Sequence, residues 1–137
     1  MLVVDASAVA ELLLGRPAGE HVAQHVADHG FDLHAPHLID IEVASALRRV
    51  VAAGDAAPAR ADAAVADFLD LPIERYPHVV LLARVWGLRD NLSAYDAAYV
   101  ALAESLAEDD VPLLTADARL ARAAAEHVEI SVLLVGA

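Results

Sequence analysis

The chain has 137 residues, enough for one domain with its own core. A hydrophobic content of 58% excludes a disordered chain, and the absence of cysteine excludes disulfides and thiolate metal sites. A net charge of −12, with nine arginines and no lysine, disfavours non-specific capture of polyanions. Leu2 to Val4 reads as a buried strand ending at Asp5. Ser7 to Leu14 reads as a helix stopped by Gly15 and Pro17. Ala18 to His29 reads as an amphipathic helix with Val22, Ala23 and Val26 on its apolar face. Phe31 to Ala35 is a candidate strand. His37 to Ala53 is a longer helix, with Leu38, Ile41, Ala44, Leu47 and Val51 spaced for one buried stripe. Pro58 opens a helix running to about Leu69, and Leu71 to Arg75 is a strand weakened by Pro72. His78 to Trp86 and Ser93 to Ala107 are helical. Val111 to Leu114 is a strand, Asp117 to Glu126 a helix, and Ile130 to Val135 a last strand.

This alternation predicts an α/β fold, a parallel sheet with helices on both faces, in a single domain over residues 1–137. No basic leader opens the chain and no apolar run reaches membrane-spanning length, so a cytoplasmic protein without a membrane anchor is expected. Ligands of such sheets bind beyond the carboxyl ends of the strands. Four acids draw attention, two of them expected at that edge. Asp5 follows the first strand and Asp117 the strand at Val111 to Leu114. Glu42 and Asp96 lie in helices among apolar neighbours, including Leu38 and Ala46 for Glu42, and Leu92 and Val100 for Asp96. Each has a structural explanation. Asp5 and Asp117 could be helix N-caps, Ser93 to Asp96 could be a capping box, and Glu42 could pair with Arg49. Taken together they suggest one acidic cluster. Two carboxylates about 4 Å apart repel by roughly 4 kcal/mol at an effective dielectric of 20, so such a cluster needs cations. All-oxygen donors select Mg²⁺ or Mn²⁺. Such an ion can clamp a phosphate and activate water, and it reverses the local sign of charge. Arginines at the rim, among Arg48, Arg84 and Arg89, are candidates to hold the backbone of a nucleic acid.

The same segments resemble a known family. Val3-Val4-Asp5-Ala6-Ser7-Ala8 resembles the opening of PIN domains. Ile41-Glu42-Val43-Ala44-Ser45-Ala46-Leu47, Leu92 to Ala103 around Asp96, and Pro112-Leu113-Leu114-Thr115-Ala116-Asp117 resemble the acidic motifs that follow, in the family's order. The resemblance implies a three-layer α/β/α fold around about five parallel strands, and Mg²⁺-assisted hydrolysis of RNA by metal-activated water, with Mn²⁺ as a possible substitute. It carries Asp5, Glu42, Asp96 and Asp117 over as the acidic quartet. Asp5 and Asp96 would be direct ligands, and Glu42 and Asp117 would complete the shell, directly or through water. Ser7 and Thr115 would be supporting polar residues. Length and motif forms are most similar to VapC toxins, which implies a homodimer silenced by a cognate VapB-type antitoxin.

Other readings fit less well. A haloacid-dehalogenase-like phosphatase wants a second Asp where Ser7 stands, and both it and a receiver domain want a lysine. No G-x-G-x-x-G turn and no P-loop is present. A catalytically silent PIN-like module that binds RNA or protein is the remaining alternative. His21, His25 and His29 form a helical row that could bind zinc, but Glu20, Gln24 and Asp28 beside them suggest an exposed polar face. Trp86 and Tyr95 could stack on bases, and Tyr99 is expected near the core. Leu12 to Leu14 could face a partner or, more commonly, the core.

Overall fold

Short apolar runs form strands, and the alanine-rich amphipathic stretches between them form one or two helices each. The computed structural model describes residues 1–106 and 110–136. Its strands are β1 (Leu2–Val4), β2 (Leu33–Pro36), β3 (Ile73–Tyr76), β4 (Leu113–Thr115) and β5 (Val132–Leu134). They form one parallel sheet in the order β3-β2-β1-β4-β5. The helices are α1 (Ala6–Leu13), α2 (Pro17–Asp28), α3 (Leu38–Ala52), α4 (Pro58–Asp70), α5 (Leu82–Gly87), α6 (Ala94–Ser105) and α7 (Ala118–His127). β1 and β4 are buried along their whole length, as expected of parallel strands covered on both faces. Right-handed crossovers put α1 to α4 on one face and α5 to α7 on the other, giving three layers. In keeping with this, α1 packs on α2, α3 and α4, while α6 lies across β1, β2 and β4. The connection from β3 to β4 passes back over β1. The chain therefore changes direction between β1 and β4, which opens a crevice at their carboxyl ends.

The predicted elements are all present, with corrections. α3 buries Ile39, Val43 and Leu47, whereas Ile41 is 70% exposed, Ala44 is exposed, and Leu38 and Val51 are half-buried. Both rows have helical spacing, and only packing against the sheet selects one. Ala23 of α2 is likewise exposed while Val22 and Val26 are buried. β2 starts later than expected because Gly30 and Phe31 both take positive φ (64° and 58°) in the turn after α2. The stretch from His78 to Trp86 is two pieces, a 3₁₀ turn at His78–Val80 and then α5. β4 and β5 begin two residues later than expected. Ala107, the predicted end of the α6 segment, lies outside the described residues. Gly19 allows α1 and α2 to touch, since a Cβ there would clash with the Glu11 carbonyl oxygen. Among the described residues, no helix is long and apolar enough to cross a membrane.

Candidate active site

The crevice is lined by Asp5, Glu42, Asp96 and Asp117, together with Arg49, Tyr95, Tyr99 and Arg119. The cavity measures about 330 Å³. Four separate segments deliver the acids. Asp5 ends β1 and caps α1, Glu42 sits in α3, Asp96 lies in the first turn of α6, and Asp117 caps α7. The capping explanations hold at the same time, with Ser93 and Asp96 making one bond of their box. Asp5 accepts the Ala8 N–H at 3.0 Å, and Asp117 accepts those of Arg119 and Leu120 at 2.9 and 3.2 Å. Ser93 Oγ accepts the Asp96 N–H at 3.2 Å. Capping and convergence are thus not alternatives here. A strand that runs to the sheet edge and turns into a helix needs a cap where a ligand would bind.

Asp5 is 5% exposed and anchored from both sides. Ser7 Oγ donates to its Oδ1 at 2.7 Å, and Thr115 Oγ1 donates to its Oδ2. The two hydroxyls in turn accept backbone N–H groups of the β4–α7 turn. Ala116 donates to Ser7 at 2.9 Å and Asp117 to Thr115 at 3.0 Å. Burial pushes the Asp5 carboxyl up to about 6 from an ordinary 3.8, against the lowering effect of Thr115, Ser7 and Ala8, with the Asp117 charge raising it further. Three bonds leave about one acceptor position of that carboxylate open.

Tyr99, 2% exposed, donates to Glu42 Oε1 at 2.6 Å. Burial, then the Glu42 carboxylate, holds the Tyr99 phenol far above its ordinary pKa, so it remains the donor. Arg119 Nη2 donates to Asp96 Oδ2 at 2.8 Å and to Asp117 Oδ2 at 3.2 Å. The two acids raise the Arg119 pKa, Asp96 first.

The carboxylates are therefore engaged by three different sets of partners, although all four line one cavity. Among the described residues no group of three His, Asp or Glu side chains is close enough to hold a metal as it stands. The cause is visible in the partners: Asp5 faces hydroxyls, Glu42 faces Tyr99, and Asp96 and Asp117 turn to one guanidinium. The donors still fit a hard divalent cation. They are all oxygens, and a cation already bridges two of them.

Arg48, Arg84 and Arg89 are not at this rim. Arg48 lines a shallow groove between α3 and α4, Arg84 pairs with Glu104 at 3.1 Å, and Arg89 stacks over Trp86 at 4.6 Å. The arginines that line the cavity are Arg49 and Arg119. Arg49 donates to Ser45 at 2.9 Å, not to Glu42. Position offers a signal for Arg119, a cation in the first turn of a helix, where the dipole disfavours it. The Tyr99–Glu42 bond joins residues 57 apart and leaves no local trace. Trp86 and Tyr95 are 66% and 62% exposed, and Tyr95 reaches the cavity. His29 Nδ1 lies 2.7 Å from the His25 carbonyl oxygen, and the histidine row forms no metal group among the described residues. Leu13 is core, with Leu12 and Leu14 half-buried against it.

A family model described as PIN domain matches residues 2–126. Ribonuclease VapC1 of Mycobacterium tuberculosis is 44% identical over 131 residues, covering 95% of this chain and 96% of that protein. Ribonuclease VapC9 of the same organism is 43% identical over 133 residues, covering 96% and 98%. Ribonuclease VapC12 is 40% identical over 132 residues, with the same coverage. The crystal structure of PAE2754 from Pyrobaculum aerophilum superimposes with a TM-score of 0.65 at 24% identity, covering 96% of this chain and 81% of that one.

Proposed function

The chain belongs to the PIN domain family, in its VapC branch, and from this premise we propose that it is a metal-dependent endoribonuclease, the toxin of a type II toxin–antitoxin pair. In this reading residues 1–137 are one PIN domain acting in the cytoplasm, Mg²⁺ or Mn²⁺ is the cofactor, and RNA is the substrate. A cognate VapB-type antitoxin silences it, and two copies pair. The observation that carries the reading is the convergence of four carboxylates from four segments on one cavity at the sheet's switch point.

Asp5 and Asp96 would hold the ion, with Glu42 and Asp117 completing its shell. When bound, the ion supplies positive charge to a scissile phosphate and acidifies water. The chain's own residues do the rest. Ser7 and Thr115 fix Asp5 to the β4–α7 turn, so its open acceptor position points one way. Tyr99 orients Glu42, which leaves Oε2 without a protein donor among the described residues. Arg49 lies on the cavity wall, positioned to meet a phosphate of the incoming strand. No histidine lines the cavity among the described residues, so the carboxylates are the groups placed to take a proton from water.

The test is cleavage of a structured RNA pool by purified protein with Mg²⁺, with Mn²⁺ and with EDTA, beside an Asp5→Asn/Asp96→Asn double variant. Cleavage abolished by both EDTA and the substitutions is the expected result. Equal behaviour of wild type and variant, with both folded and free of antitoxin, would favour a silent RNA- or protein-binding module.

A further inference from the structure

Arg119 stands where the electrostatics of its own helix disfavour it. It lies in the first turn of α7, beside the N–H groups that Asp117 caps, in a turn without acidic residues of its own. Its guanidinium joins Asp96 of α6 to Asp117, the N-cap of its own helix. Among the described residues both of its side-chain hydrogen bonds go to these carboxylates. The Arg119 side chain is 64% exposed, against 15% for Asp96 and 33% for Asp117. A long exposed side chain tethered only by two acids can swing out without disturbing the core. One guanidinium also brings a single charge to a cavity with four carboxylates, and it uses the lone pairs that a divalent ion would need.

We propose that Arg119 is a displaceable counter-ion. It holds Asp96 and Asp117 in the metal-free protein and yields their oxygens when a divalent cation enters. Its guanidinium is then presented at the cavity mouth, where it binds a phosphate of the RNA strand. This rests on the metal-dependent reading above. The same side chain thus opposes metal binding when RNA is absent and favours RNA when metal is present. By linkage, RNA then raises metal affinity, because it rewards the released arginine.

The test compares wild type, Arg119→Gln and Arg119→Lys. Mn²⁺ affinity is read by electron paramagnetic resonance, and melting is followed in EDTA and in saturating Mg²⁺. Arg119→Gln is expected to bind Mn²⁺ more tightly by roughly five- to tenfold, the low end of ordinary site–site coupling. It should melt below wild type in EDTA and gain more from Mg²⁺. Arg119→Lys, which keeps the charge but lacks the planar fork, should fall between and guards against a glutamine variant that fails to fold. In RNA cleavage, Arg119→Gln should raise KM more than it lowers kcat. Unchanged or weaker Mn²⁺ binding by both variants, with wild type binding normally, overturns the role of Arg119 alone. Absence of Mn²⁺ binding by all three overturns the metal reading and this inference with it.

Discussion

Asp32 and Asp5 are both acids at the ends of neighbouring parallel strands, one just before β2 and one just after β1. Asp32 lies 3.4 Å from the Met1 ammonium and 2.7 Å from His34 Nε2. The other ring nitrogen of His34 lies 2.7 Å from the Tyr76 hydroxyl, so a histidine only 2% exposed has both nitrogens partnered. The His34 hydrogen bond is the main cause that holds Asp32 below the ordinary carboxylate range. Asp5 also accepts three hydrogen bonds, but from hydroxyls and an amide that bring no charge, and burial drives its pKa the other way. Around it, four carboxylates share a cavity with two arginines. Both clusters satisfy polar atoms, but the first holds two carboxylates, Asp32 and Glu74, beside His34 and the Met1 ammonium, whereas the second gathers four around one cavity. A site that keeps acceptor positions open among four carboxylates fits a cation from outside.

The strongest way to break this comparison is to remove a carboxylate. Residues that merely support a metal ligand typically cost ten- to a hundredfold when lost. Asp96→Asn should therefore lower RNA cleavage by more than about a hundredfold at saturating Mg²⁺, measured in single turnover.

Acidity sharpens the same contrast. The folded pKa of Asp5 stands above its unfolded value, so the metal-free folded protein keeps a proton that the unfolded chain releases. The resulting stability is complete below about pH 4 and is lost as pH rises through about 6, amounting to as much as about 3 kcal/mol. Urea melts in EDTA should show this loss in wild type and a flatter profile in Asp5→Asn. Mg²⁺ should oppose the loss, because it binds the deprotonated carboxylate.

Tyr99→Phe removes only the bond to Glu42 and should weaken metal affinity or cleavage by about tenfold, the low end for an outer partner. A titration of Mn²⁺ against the folded variant checks it. His34→Leu should do the reverse. It unpairs Tyr76 and costs about 1–2 kcal/mol of stability, while kcat for RNA stays at the wild-type level in the folded fraction. A large fall in kcat there would erase the distinction between the two clusters.

Much of this arrangement was legible before the structure. The alternation of elements, the caps at Asp5 and Asp117, and the unexpected acids at Glu42 and Asp96 are local features, and local features survive in sequence. The rotation of α3 was not legible. Leu38, Ile41 and Ala44 offer an apolar row as regular as Ile39, Val43 and Leu47, and only contact with the sheet decides between them. The partners of the acids were also hidden. Tyr99 meets Glu42 across 57 residues, and Thr115 meets Asp5 across 110. The rim arginines were misplaced for a related reason: Arg84 is held away from the cavity by Glu104 of α6, and Arg89 by Trp86.

The claim that these four carboxylates form a metal centre is tested most directly by anomalous diffraction from a crystal soaked in Mn²⁺. The account predicts a peak inside the cavity, within ligand distance of Asp5 and Asp96, and a guanidinium of Arg119 no longer bridging Asp96 and Asp117. A saturated crystal with Arg119 still bridging and no peak in the cavity would contradict it.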